Sequence, residues 1–291
     1  AQAVDAEYPS VNAGRKANGA AGDAWKIAVE ALPGKTADRV NQARKALIDP
    51  ITDALGKSAK KLKIDPGQLV DAYGIYRTAL HAPERNKTLR ANGSKKANPA
   101  GMSEAEASQW MTFFRGEPEL LLALQALDPM LKAIQDETDN IKMAAGLLTQ
   151  DDIDARSGWN HYISLRGDPG ADEVGGVRGQ GNWNSDIDPK ARGRDSLSAN
   201  PVVNTVKMLE NAIRLAEMAA VKKATYEFAV AHPDLIKAKV KRLFARPFFD
   251  ENGNFAKAVP NEDRFASDAI VYRQGDVEYF IEIGDGMVAE A

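Results

Sequence analysis

Cysteine is absent from the 291 residues of this chain. That excludes disulfide frameworks, thiolate nucleophiles and zinc–thiolate sites. It fits a chain that lives in reducing cytosol, and equally one that must unfold and refold without mispairing. Histidine is scarce: His81, His161 and His232 stand far apart, none within a spaced set of ligands, so no metal site is expected. Aromatic residues make up 7%, and with alanine abundant the balance favours helices packed through small residues over a β-rich core. No apolar run approaches the ~18 residues a membrane-spanning helix needs. No charged-then-apolar signal segment opens the chain. A nucleophile elbow, paired catalytic carboxylates and a serine–histidine grouping are all missing from the pattern. Neither an enzymatic reaction nor a cofactor is expected of this segment.

Two stretches look like exceptions and are not. "GGVRGQGNW" has the glycines of a phosphate loop, but no strand precedes it, no helix follows directly, and no Gly-Lys-Ser/Thr closes it. Asp151, Asp152 and Asp154 sit together in a first helical turn, where carboxylates favour the helix dipole.

What is present belongs to a folded, soluble chain: 44% hydrophobic, 27% charged, net charge −3. The charge is unevenly spread. Residues 35–96 carry fourteen Lys/Arg against six Asp/Glu, residues 102–156 four against eleven, and residues 207–246 nine against four. A basic–acidic–basic order is expected to be matched within the molecule. Neither basic segment interleaves aromatics as single-strand binders do. The chain starts at Ala1 and stops after a strand-like pattern, so it is expected to be a segment of something longer.

The expected fold is mainly α: an elongated helical bundle with a long irregular Gly-rich loop and a small C-terminal β-hairpin. Residues 1–20, rich in Ala, Gly and Asn, read as a flexible arm. A helical bundle domain follows over 21–157. Asp23 is a plausible helix cap, and Val40, Ala43, Leu47, Ile51 and Leu55 share one face with a kink at Pro50. Asp65-Pro66 starts a helix whose stripe is Leu69, Tyr73, Tyr76 and Leu80. Ser103 with Glu106 forms a capping box. A long tract from about Pro118 to Ala145 carries Leu121, Leu124, Leu127, Leu131, Ile134 and Ile141. It ends at Gly146, and Thr149 caps the next helix. Residues 158–198 hold eight glycines and no helical period, a loop that Trp159, Tyr162, Leu165 and Trp183 would pin to the helices. Segment 199–246 reads as a long helix packing on the bundle. It is clearest from Pro201 to about Ala231, and its seam is Val202, Val206, Leu209, Ile213 and Ala216. Residues 247–291 read as a loop plus hairpin, turning at Gln274-Gly275-Asp276 and continuing beyond residue 291.

The stripe from Leu69 runs into "HAPERN", His81 to Asn86. Pro83 removes one backbone donor inside a helical pattern, His81 and Arg85 lie one turn apart on one face, and Asn86 suits a helix end. The expectation is a buried histidine–arginine joint tying two helices together. "HAPERN", then "AGMSEAEA", "AGLLTQDDIDAR…HYISLRGD", "RGRDSLSANPVV" and a final "VYRQGDVEYFIEI" follow one another over residues 65–291. That order resembles the large polyvalent protein-associated regions of bacteriophage proteins, long chains carried in virions and ejected with DNA. They include DarB-like antirestriction proteins and podovirus virion RNA polymerase-type chains. The positions that carry the resemblance are His81, Pro83, Glu84, Arg85, Asn86, Gly101, Met102, Tyr162, Leu165 and Arg166. Ala100-Gly101-Met102 stands where a Gly-Ser-Gly-Met type of run is usual, and Ile163-Ser164 where Val/Ile-Pro is common.

The resemblance implies a structural or ejection role, with any catalytic modules elsewhere in the parent chain. It implies partners among other virion and ejection proteins or further domains of the same chain. It also implies a location in the virion, then in the periplasm or cytoplasm of the host. The alternative it leaves is a nucleic-acid-binding module of an antirestriction or polymerase polypeptide.

Overall fold

A computed structural model of the protein describes residues 20–91, 93, 96, 98, 100–157, 159–163, 165, 200–244, 270–274 and 277–282. These residues are mainly helical, with a small three-stranded antiparallel sheet near the C-terminus. The proposed arm lies outside them but for Ala20. So do most of the Gly-rich loop, with Trp183 and Arg166, and the turn at 275–276.

Helices α1 (Ala20–Ala43) and α2 (Asp49–Leu62) are joined by a π-helical turn, Arg44–Ile48. The kink expected at Pro50 takes this form. A proline has no N–H to return to the carbonyl four residues back, and the widened turn, closed by the Asp49 N–H on the Arg44 carbonyl, accommodates the loss. Asp23 lies inside the first turn of α1 rather than before it. α3 (Pro66–Ala91) begins as expected: Asp65 Oδ1 accepts from the N–H groups of Gly67 (2.7 Å) and Gln68 (3.2 Å), ahead of a proline with preset φ.

α3 does not stop at "HAPERN". It passes through Pro83 and reaches Ala91, so Asn86 is an interior residue and not a helix end. Pro83 itself lies on the exposed face, while the buried residues on either side of it, Ala79, Ala82 and Asn86, hold the helix in place. Ser103 and Glu106 close the capping box of α4 (Glu104–Gly116). The tract expected over 118–145 divides into α5 (Pro118–Gln125) and α6 (Asp128–Ala144). α6 ends in a Schellman turn: Gly146, at φ +71°, donates to the Met143 carbonyl and Leu147 to that of Lys142. α7 (Gln150–Ser157) follows Thr149 directly, and α8 (Pro201–Ala231) follows Asn200.

The long helix expected to run on beyond residue 231 ends at Ala231. His232-Pro233 breaks the run, and a single turn, α9 (Pro233–Ile236), ends at Lys237 with φ +48°. The alternating KVKRLF then forms β1 (Lys239–Phe244). The expected hairpin is β2 (Ile270–Gln274) against β3 (Val277–Glu282), and β1 adds a third strand in the order β1-β3-β2. Two strands alone are marginal, and β1 supplies the missing neighbour.

The chain divides into two compact units. The first holds Ala1–Arg39, Lys142–Thr149 and Ile213–Ala291. Its core stacks Trp25 of α1 on Phe228 of α8, with ring centroids 4.1 Å apart. The inward sheet face, Tyr272 and Ile281, closes against them. Register places Tyr272 opposite Tyr279, and Tyr226 of α8 lies over both rings. The second unit holds Val40–Ile141 and Gln150–Ala212. There α3 packs on α4 through Tyr76 and Phe114, edge to face at 5.8 Å, and Leu69, Tyr73, Leu124, Leu131, Ile134 and Leu209 are fully buried.

Candidate functional site

In the second unit, a row of buried and half-buried polar side chains lies along α3. Tyr73, Arg77, His81 and Arg85 follow one another at four-residue spacing, which stacks them along one side of the helix. Asp128, in the first turn of α6, accepts from the Tyr73 hydroxyl at 2.9 Å and from an Arg77 guanidinium nitrogen at 3.0 Å. Burial first, and then the Asp128 charge, push the Tyr73 phenol up, so it stays a hydrogen-bond donor. Arg77 also reaches the Tyr162 carbonyl, which Gln135 of α6 shares, both at 3.4 Å.

His81 is the centre of this cluster. It is 0% exposed, and neither ring nitrogen has a hydrogen-bond partner. Trp159 and Tyr162 wall the imidazole with edge-to-face contacts at 5.3 Å and 6.0 Å. Burial is the main cause that lowers its pKa to about 3, followed by repulsion from Arg85, Arg77 and His161. The ring is therefore neutral. Glu84 holds the Asn160 N–H at 3.3 Å through Oε1, and its Oε2 is buried without a partner. The expected histidine–arginine joint thus ties α3 to the segment 159–165 rather than to a second helix, and it works by ring packing and charge, not by a bond from His81.

One and a half turns further on, Asn86 makes a separate clamp. Its Nδ2 donates to the Met102 carbonyl and its Oδ1 accepts from the Ala100 N–H, both at 2.8 Å. Between them Gly101 takes φ +78°, a conformation that favours glycine. Ile163 and Leu165 are buried. The fold thus groups His81, Glu84, Arg85 and Tyr162 in one place and Asn86, Gly101 and Met102 in another. Pro83 belongs to neither, and Arg166 lies outside the described residues.

Sequence reasoning missed Arg77, Asp128 and Gln135. Arg77 was open to detection, because it lies four residues before His81 on the same face. Asp128 and Gln135 carry no such signal, since only the packing of α6 brings them to α3. Also missed was the seat of α8. Asn200 caps it by accepting from the Val202 N–H at 3.0 Å, and its Nδ2 reaches the Val70 carbonyl at 3.1 Å. This approach passes over Gly74, where a Cβ would stand 2.8 Å from Asn200.

At another face of the unit, Leu62, Ile64, Phe113, Pro118 and Leu120 line a groove of about 380 Å³, with Glu117 and Glu119 at its wall. Phe113 and its neighbour Trp110 are 51% and 38% exposed. Among the described residues no group of three or more His, Asp or Glu is placed to hold a metal ion, and no helix is long and apolar enough to cross a membrane. Comparison of the chain with protein-family models, with curated proteins and with solved structures finds no match.

Proposed function

We propose that this chain is a non-enzymatic structural segment of a large bacteriophage virion protein, ejected into the host with the genome. Its partners are other virion and ejection proteins or further domains of the same polypeptide. Its location is the virion and then the host periplasm or cytoplasm. The reading starts from the resemblance of the ordered motifs, and one observation supports it. Two of the side chains that carry the resemblance are engaged in packing: Asn86 is closed between two backbone groups and His81 has no exposed atom for a substrate to meet. The exposed Trp110 and Phe113 face is where this reading places contact with a neighbouring chain, since clustered exposed aromatics mark interaction surfaces. Mass spectrometry of purified particles tests it, together with cells infected while protein synthesis is blocked. Peptides of this chain are expected in both, and their absence from particles overturns the proposal.

A second reading, a nucleic-acid-binding module of an antirestriction or virion polymerase polypeptide, is favoured by one feature. Lys57, Lys60, Lys61 and Lys63 stand exposed at the end of α2, in no ion pair with the described residues. Titration of a single-stranded oligonucleotide across a salt series decides it. Log affinity falling with log salt at about −0.7 per contacted phosphate supports this second reading, and no measurable binding at low salt removes it.

A further inference from the structure

A neutral histidine enclosed between two guanidinium groups is a poor place for a second proton. The walls of this pocket are separable: α3 supplies one side, and residues 159–165 supply the rings of Trp159 and Tyr162. Among the described residues, the charged and titratable groups around His81 include Arg77, Glu84 and Arg85 on its own helix and His161 on the segment. From α6, Asp128 is engaged by Arg77 and Tyr73, and Gln135 contributes only an amide. Glu84 is a carboxylate on that side, and drawing it to a charged ring pulls it from the Asn160 N–H it holds.

We propose that His81 is a proton-operated latch for residues 159–165, such that a proton on its ring drives this segment off α3. An imidazolium in the closed pocket would be buried without water and would face two like charges. Relief requires opening one wall. The segment is the weaker wall: its bonds to the helices include two of 3.4 Å to the Tyr162 carbonyl and one of 3.3 Å from the Asn160 N–H to Glu84, all long, whereas α3 is anchored by its whole buried stripe. Once the segment leaves, water reaches the ring, and its pKa returns from about 3 to the ordinary value of about 6.5. The opening equilibrium therefore grows about tenfold for each pH unit below about 6.5. This holds whichever function the chain serves.

Hydrogen exchange of the peptide spanning 159–165, in the full chain and corrected for the pH dependence of chemical exchange, reads the opening directly. Opening is expected to be about 30-fold greater at pH 5 than at pH 8. In His81→Phe, which keeps a buried ring without the proton site, it is expected to be flat. Glu84→Gln and His161→Gln are expected to keep the parent's slope. A His81→Phe variant that retains the slope overturns the latch, and so does a Glu84→Gln variant that abolishes it. If His81→Phe does not fold, the imidazole nitrogen shifts of the parent chain serve instead. A His81 that stays neutral down to about pH 4 while the segment is docked supports the latch. A His81 that protonates near pH 6.5 with the segment's protection unchanged overturns it.

Discussion

A buried side-chain amide is held by the bonds it makes, and Asn86 directs both ends of its amide at the backbone of a single short turn. Replacing it with alanine leaves the Ala100 N–H and the Met102 carbonyl buried and unpaired. The expected cost is about 3 kcal/mol, measured by urea unfolding of Asn86→Ala against the parent. His81 contributes differently, through the state it forbids. Its folded pKa, about 3, is depressed below the unfolded value by burial first and then by Arg85, Arg77 and His161, so the native state binds fewer protons than the unfolded one. The stability tied to this group is complete above about pH 6.5 and falls as pH drops toward 3, by about 1.4 kcal/mol per unit. Between pH 6.5 and 5 the unfolding free energy is expected to fall by about 2 kcal/mol. His81→Phe should flatten that part of the curve, as followed by unfolding at a series of pH values.

Within the helices, two glycines in ordinary helical conformation give opposite predictions for one substitution. At Gly56 in α2 a Cβ meets nothing within 4 Å, so Gly56→Ala should stabilise by up to about 1 kcal/mol through helix propensity alone. At Gly74 in α3 the Cβ would press on Asn200. That side chain cannot yield without giving up the cap of α8 and its bond to Val70. Gly74→Ala is therefore expected to destabilise by about 1–3 kcal/mol, and thermal melting of the two variants checks the difference in sign. Ser103→Ala removes the capping box of α4 and should cost about 1 kcal/mol, read in the same way.

Each compact unit has a core of its own, and ion pairs link the stretches of opposite charge in part. Arg77 to Asp128 and Arg90 to Glu104 join the first basic stretch to the acidic one, and Arg39 to Glu217 joins it to the last. Exposed pairs such as Arg90 with Glu104 add at most about 1 kcal/mol each, so the cores carry the stability. Phe228 is fully buried on Trp25. Phe228→Ala should cost about 3–5 kcal/mol, seen in chemical denaturation as an earlier transition in the fluorescence of a chain that keeps Trp25 as its only tryptophan.

Local chemistry was legible in the sequence wherever one stretch of chain was enough to satisfy it. Asp65-Pro66, the Ser103–Glu106 box, Gly146 and Pro201 act on neighbours within four residues, and they start or stop helices where the pattern says. The period-two run after residue 268 likewise marks strands, because alternation alone sorts one face from the other. Pro83 misled because the packing of α3 on either side of it carries the helix through a lost hydrogen bond. β1 was missed because a six-residue strand at a sheet edge is fixed by its pairing with β3 more than by its own composition. Tertiary packing alone decided that Asp128 and Gln135 meet Arg77, that Asn200 rests on Gly74, and that Trp159 and Tyr162 enclose His81. The physical reason is common to all three: burial and charge at a residue depend on groups distant in sequence, and spacing along the chain carries no record of them.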